Sequence, residues 1–414
     1  MEALPRVGGW RGTSPRARAS SIVTGFRRAS PAHPCSEEGF LQRRRNLIAT
    51  AAASVLAAPL VARAQGVLRA GNVSYRVTTL TQDLEQPWGL AFLPDGRLLI
   101  TERPGRLRIF ANGRLERGPV GGVPRVYART QGGLLDICLH PNFAQNNLVY
   151  LTYSGEGDGG AATVLARGEF RNNTLVNVRP IFEALPRTSG GYHFGSRIVF
   201  DRAGLLYVTC GERYQMQRAQ KLDDLVGKVV RLRDDGSVPP DNPFVGRAGA
   251  RPEIFTYGHR NPQGMAMHPT TGRIWLCEHG PRGGDELNLL KAGANYGWPL
   301  ATHGIDYSGA TISPNKSLPG MEDPVRVWVP SISPSGLAFY TGDRFPAWKG
   351  SLFTGALSNN ALFRIQLDGD RYAGEERLLP DLLPYIRDVR QGPDGLIYVV
   401  THTDQGGLYR LEPA

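Results

Sequence analysis

Between Tyr257 and Tyr307 the chain reads YGHRNPQGMAMHPTTGRIWLCEHGPRGGDELNLLKAGANYGWPLATHGIDY, which sets His259, Arg260, His279, Asp285 and Glu286 among glycines, prolines and aromatics. An imidazole titrates near neutral pH and can move a proton. A guanidinium is a permanent cation with several donors, suited to an oxygen that gains negative charge. No helical period runs through the segment, and only GRIWLC reads as a strand. Polar side chains at this density on loops are expected where a rigid scaffold presents a binding site.

The scaffold is legible in a repeat. GLAFLPDGRLLITER begins at Gly89, DICLHPNFAQNNLVYLTY at Asp136, RIVFDRAGLLYVTCGER at Arg197, GMAMHPTTGRIWLCEHG at Gly264, GLAFYTGDRFPAWKGSLFTGAL at Gly336 and DVRQGPDGLIYVVTHTDQG at Asp388. Each is an alternating apolar strand, a polar turn and a second apolar strand. Asp95-Gly96 and Asp394-Gly395 are hairpin signals. Further strand pairs, such as LRIFANGRLER and LFRIQLDGDRY, lie between the copies. Six units of this spacing predict an all-β, six-bladed β-propeller with four-stranded blades around a central channel. The first strand, near Tyr75, or the last, GLYRLEP, completes a blade shared by both ends. A two-sheet sandwich has no reason to repeat one motif six times. Loops next to the repeated strands, from different blades, converge at one end of such a channel. That singles out Gln131, His193, Glu212, Arg260, Gly280 and Arg387.

Ahead of the repeats, Arg43 to Arg45, an apolar run from Leu47 to Val61 and the triplet Ala62-Arg63-Ala64 read as an export signal cut after Ala64, of twin-arginine type. The expected organisation is a leader over 1–64 and one propeller domain over 65–414, in the periplasm or outside the cell. The run is too short to span a bilayer comfortably. The leader carries ten Arg against three Glu, so it accounts for +7 of the formal +11 and leaves the remainder at +4. That charge does not mark a nucleic-acid binder. Cys138, Cys210 and Cys277 sit in apolar strand-like runs. They read as buried free thiols, though one pair remains open, and their spacing is not that of a zinc site. Trp88 and Trp275 read as inter-blade core. His140 and His268 read as structural residues of blade turns, and SGEGDGG at Ser154 as a hairpin or loop.

In order, QPWGLAF, QGGLLD, HFGSRIVFD, GHRNPQG, EHGPRGGDELN and NYGWP resemble the soluble PQQ-dependent aldose sugar dehydrogenases of the glucose/sorbosone dehydrogenase family. The resemblance runs from about Val73 to the end, and its fold is a six-bladed propeller. It implies oxidation of an aldose at the C1 hydroxyl to the lactone, with PQQ and calcium as cofactors. His193 matches the general base and Arg260 the arginine that polarises the quinone carbonyl. Gln131 and Asn261 match neutral cofactor contacts, and Arg387 an arginine that pairs with a cofactor carboxylate. Gly280 and Pro281 match the backbone carbonyls that hold the cofactor's calcium. Glu286 and Tyr296 match a second, structural calcium site. Tyr307 and Ser358 fall where related enzymes contact the cofactor.

The pattern also departs from the family. Glu212 stands where some members have Asp beside the catalytic histidine. Ser358 replaces a lysine of the glucose-oxidising branch, and Tyr385 an arginine two positions before Arg387. The sequence is nearer the broad-specificity aldose branch. The expected partners are a sugar and an external electron acceptor, a quinone or small redox carrier, with the chain a monomer or homodimer. Two alternatives stay open at this point: a calcium-dependent sugar lactonase, and a non-catalytic propeller that binds a protein or carbohydrate.

Overall fold

Leu98–Glu102 (LLITE), Leu206–Cys210 (LYVTC), Ile274–Glu278 (IWLCE) and Ile397–Thr401 (IYVVT) are buried along their whole length. A strand that reads as a continuous apolar run needs cover on both faces. In the computed structural model, which describes residues 66–414, neighbouring sheets supply that cover. Six antiparallel sheets form, and their first strands contact one another in a closed ring around the axis. The fold is a six-bladed β-propeller, as the repeat predicted. The leader expected over 1–64 lies outside the described residues.

Blade one runs outward through Pro87–Phe92, Leu98–Glu102, Arg106–Ala111 and Arg114–Leu115. The innermost strands of the next four blades are Leu134–Leu139, Ile198–Phe200, Pro262–Met267 and Pro334–Phe339. Blade six takes Ile386–Gln391, Ile397–Thr401 and Gly406–Pro413 from the C-terminus, then adds Val73–Leu84 from the start of the described chain. Tyr75 pairs with Pro413 and Leu84 with Gly406 across this closure. A short fifth strand, Leu68–Ala70, extends the blade beyond the four expected.

Beside GRIWLC the segment holds two further strands, one over GMAM, which the repeat had marked, and one that it had not. Pro262–Met267 breaks its alternation with a register shift between Pro262 and Gly264. Asp285–Leu289 carries buried Asp285 and Asn288 as well as buried leucines, so polarity concealed it. Trp275 is fully buried in the core between blades four and five, as expected. Near the closure, Phe345 stacks on Trp348 at 4.3 Å, with Tyr75 edge-on at 5.6 Å. Cys138, Cys210 and Cys277 are free thiols. His140 Nδ1 accepts from the Asn142 amide, and His268 Nδ1 from the Thr270 and Thr271 amides, so both imidazoles do brace turns.

The residues that open the six repeat copies meet near the axis. Buried Arg197 donates to Asp136 Oδ1 at 3.1 Å through Nη1, to Gln263 O at 2.6 Å through Nε and to Arg387 O at 2.9 Å through Nη2, and its Nη1 forms an ion pair with Asp388 Oδ1 at 3.0 Å. Its guanidinium lies 4.1 Å from the centre of the Trp88 ring. Glycine supplies room around this plug. A Cβ on Gly89 would come 2.7 Å from Asp136 Oδ1, and one on Gly336 2.1 Å from Asp388 Oδ1.

Candidate functional site

Five of the six innermost strands begin with a register shift: Pro87/Leu90, Leu134/Ile137, Pro262/Gly264, Pro334/Leu337 and Ile386/Asp388. A bulge turns the strand locally and re-aims the side chain within it. Here it presents Trp88, Leu135, Gln263 and Arg387 to one cavity. Gln131 and Asn261, just ahead of the inner strands of blades two and four, complete the wall. Trp88 packs as inter-blade core with Leu135, Ala161 and Phe194, as expected, and it also borders this cavity, with the Arg387 guanidinium 5.6 Å from its ring centre.

The cavity is cationic. Arg103 and Arg387 line it together with the imidazoles of His279 and His402, and among the described residues no Asp or Glu does. Arg387 Nη1 donates to Gln263 Oε1 at 2.8 Å, while its Nε and that of Arg103 have no partner among the described residues. Burial, with the neighbouring Arg197 and Arg103 cations, pulls Arg387 down to about 9. His279 and His402 are pulled down to about 3, mainly by burial and next by Arg387. Cations held against one another, with donors unspent, favour an anionic occupant. Arg103, Gln263, His279 and His402 were given no role in the sequence. A signal was there: TER, CGER, CEHG and THT end the second strand of four repeat copies and so reach the same mouth.

His193 and Glu212 are brought together at the edge of this cavity. His193 Nδ1 lies 2.6 Å from Glu212 Oε1, and the His193 amide donates to Gln131 Oε1 at 2.8 Å. A carboxylate on Nδ1 assigns the proton to that nitrogen and leaves the Nε2 lone pair free. Burial lowers the imidazole's pKa; Glu212 opposes that shift and Arg260 adds to it. His193, Arg213 and Tyr214 all adopt positive φ, of 52°, 63° and 61°. Such strain persists only where the surroundings over-determine it. Arg213 supplies the restraint. Its guanidinium lies 3.5 Å from the Phe194 ring centre and donates to the Tyr192 carbonyl and, at 2.8 Å, to that of Gly190. One side chain thereby ties the loop bearing Glu212 to the loop bearing His193.

Arg260 is anchored from behind. Its amide donates to Glu278 Oε2 at 2.7 Å, and Glu278 Oε1 lies 2.8 Å from His259 Nδ1. The Arg260 Nη1 donates to Gly280 O at 2.7 Å and to His279 O at 3.2 Å. With Glu212, Pro281 and Tyr307 it borders a second cavity. Ser358 is farther out. It is exposed, donates to Ser331 O at 3.1 Å, and meets Pro281 and Tyr307 only in a wide outer groove. Glu286 and Tyr296 lie apart from both inner cavities, grouped about Glu278. Glu286 sits opposite Glu278 in the sheet, and both accept from Asn288 Nδ2. Burial and the Glu278 charge push Glu286 above the usual carboxylate range. The Tyr296 ring stacks on His259 at 4.7 Å.

This donor set suits the implied groups. A flat, multiply anionic quinone matches an acid-free cavity with an indole wall and unspent guanidinium donors. Gly280 O spends one lone pair on Arg260 and retains a second for a hard cation.

The model of the family described as glucose / sorbosone dehydrogenase matches residues 84–410. The aldose sugar dehydrogenase YliI of Escherichia coli is 47% identical over 352 residues, which cover 84% of this chain and 95% of that one. The crystal structure of the apo-form soluble aldose sugar dehydrogenase of Escherichia coli superposes with a TM-score of 0.80 at 46% identity, covering 82% of this chain and 100% of that one. The PQQ-bound aldose sugar dehydrogenase of Streptomyces coelicolor superposes with a TM-score of 0.69 at 30% identity, covering 85% and 98%. The propeller, its cationic cavity and these matches agree, and the chain belongs to the glucose/sorbosone dehydrogenase family.

Proposed function

We propose that the chain is a quinoprotein sugar dehydrogenase that oxidises aldoses at the C1 hydroxyl to the lactone. The observation that carries this reading is the His193–Glu212 pair set between an acid-free cationic cavity and Arg260. Arg387, with Arg103, Gln131 and Asn261, would hold PQQ, and the carbonyls of Gly280 and Pro281 would hold its calcium. When bound, PQQ would supply the two-electron hydride acceptor and calcium a Lewis acid.

The chain's own residues divide the remaining work. Glu212 fixes the imidazole's tautomer and orientation. His193 Nε2 takes the proton of the anomeric hydroxyl as the C1 hydride leaves. Arg260, already desolvated and stacked near Trp298 at 5.4 Å, offers a fixed positive charge to an oxygen that becomes more negative. The electrons then pass to an external quinone or small carrier. Glu286 and Tyr296 are kept as a structural calcium site. Export by the 1–64 leader to the periplasm or beyond also belongs to this reading. A calcium lactonase would require side-chain carboxylates in the inner cavity, and none lines it among the described residues. The test is reconstitution with PQQ and calcium and dye reduction across an aldose panel. His193→Ala should bind PQQ and lose the rate; absence of any cofactor-dependent oxidation by the unmodified chain refutes the reading.

A further inference from the structure

The second cavity contains acceptors that the reaction at C1 does not use. Glu212 is 1% exposed and lines this cavity, and its Oε2 has no hydrogen-bond partner among the described residues. A desolvated carboxylate oxygen left unpaired is costly unless a ligand donates to it. Asp306 lines the same cavity. Its Oδ1 accepts from the Ser308 amide at 2.8 Å and the Ser308 hydroxyl at 2.7 Å, whereas its Oδ2 accepts no hydrogen bond from the described residues. Tyr214, Trp298 and Tyr307 add aromatic surface to the wall. Tyr214 stands 5.2 Å from the His193 ring, centre to centre, so the cavity adjoins the catalytic imidazole.

Two acceptor-only groups, one guanidinium and aromatic surface make a distinctive recognition set. The buried Glu212 oxygen calls for a hydroxyl donor, and the half-exposed Asp306 carboxylate can accept from another. The negative faces of the rings suit the C–H edges of a sugar ring. An acidic ligand would meet like charge at Asp306 and Glu212.

We propose that this cavity receives the hydroxyl-bearing part of the aldose away from C1, and that Asp306 is a specificity-determining residue selecting neutral aldoses over uronic acids. The inference deepens the dehydrogenase reading and rests on it. Asp306→Asn is the informative variant, because an Asn Oδ1 can accept both Ser308 bonds and keep the turn. The full chain, loaded with PQQ and calcium, is assayed with D-glucose and D-glucuronate, whose reacting centres are alike.

The unmodified chain should prefer the neutral sugar by about tenfold or more in kcat/KM. In Asp306→Asn that ratio should fall by about tenfold, with glucose losing through KM rather than kcat and glucuronate gaining. An active unmodified chain whose ratio is the same in Asp306→Asn overturns the proposal. A chain inactive on every sugar defeats the dehydrogenase reading instead. The cavity is then judged by tryptophan emission: glucose added without cofactor should change the signal in the unmodified chain but not in Trp298→Phe, and no change in either overturns the subsite.

Discussion

His193 Nδ1 and Glu212 Oε1 face each other at 2.6 Å on residues 4% and 1% exposed. Within the proposed mechanism the pair sets the pH at which the base works. Burial holds the imidazole below 6.5, so the acid limb of kcat/KM in the free enzyme should lie below that value. Glu212→Gln removes the group that opposes this shift and can also leave the wrong nitrogen protonated. We expect the acid limb to move to still lower pH and kcat to fall about 100-fold or more. A pH–rate profile of the two proteins checks both.

Arg387 should carry binding of the cofactor and little of the chemistry. Its one side-chain bond is to Gln263, and its Nε is unspent among the described residues. Arg387→Gln forfeits a charge-assisted contact worth about 1.5–3 kcal/mol, a rise in the PQQ dissociation constant of about 10- to 100-fold. Titration followed by the visible absorption of PQQ measures it. At saturating cofactor, kcat should change far less than the affinity.

Much of this architecture was legible because the repeat is a packing device. Gly89 and Gly336 open GLAF copies, and each faces the aspartate that opens the following copy, Asp136 or Asp388. Sequence similarity therefore marked the positions where blades approach most closely. The pairing of His193 with Glu212 and the placement of Arg260 over Gly280 were carried by motifs that keep their order along the chain. The bulges were not legible. A register shift inserts no characteristic residue, so Gln263 drew no notice, and nothing marked Trp88 as bordering the cavity as well as filling the core. Ser358 was assigned to the cofactor from a short motif, and such motifs do not reveal how far out a loop stands.

Without bound cofactor, the two imidazoles of the inner cavity should make the protein sensitive to acid. His279 and His402 protonate near 3 when folded, against 6.5 as free imidazoles. Between those values the unfolded chain binds more protons than the folded one, so stability rises with pH through the window and is lost as pH falls. The limit is about 1.4 kcal/mol per histidine per pH unit. An anionic cofactor beside the same imidazoles would favour their protonated forms and flatten the slope. Melting from pH 6.5 down toward 4, with and without PQQ, should therefore show a widening gap, beyond the constant offset expected from ligand binding alone.

Arg197 should be the residue whose loss the fold tolerates least. It holds Asp136 and Asp388 from two other blades and the carbonyls of Gln263 and Arg387, which shape the cavity. Replacing it with methionine keeps much of the side-chain length but strands two buried carboxylates, for which Arg390 is the remaining cation. Breaking such a network from one side costs about 3–5 kcal/mol. Gly336→Ala attacks the same plug sterically, since its Cβ would lie 2.1 Å from Asp388 Oδ1 and 2.7 Å from Asp388 Cα. Overpacking of this kind costs about 1–3 kcal/mol. Because both changes act on the Asp388 carboxylate, the double variant should be less destabilised than the sum of the singles. Denaturant melts of the three proteins test that sub-additivity. Strict additivity would mean that the arginine and the glycine act on separate parts of the axis.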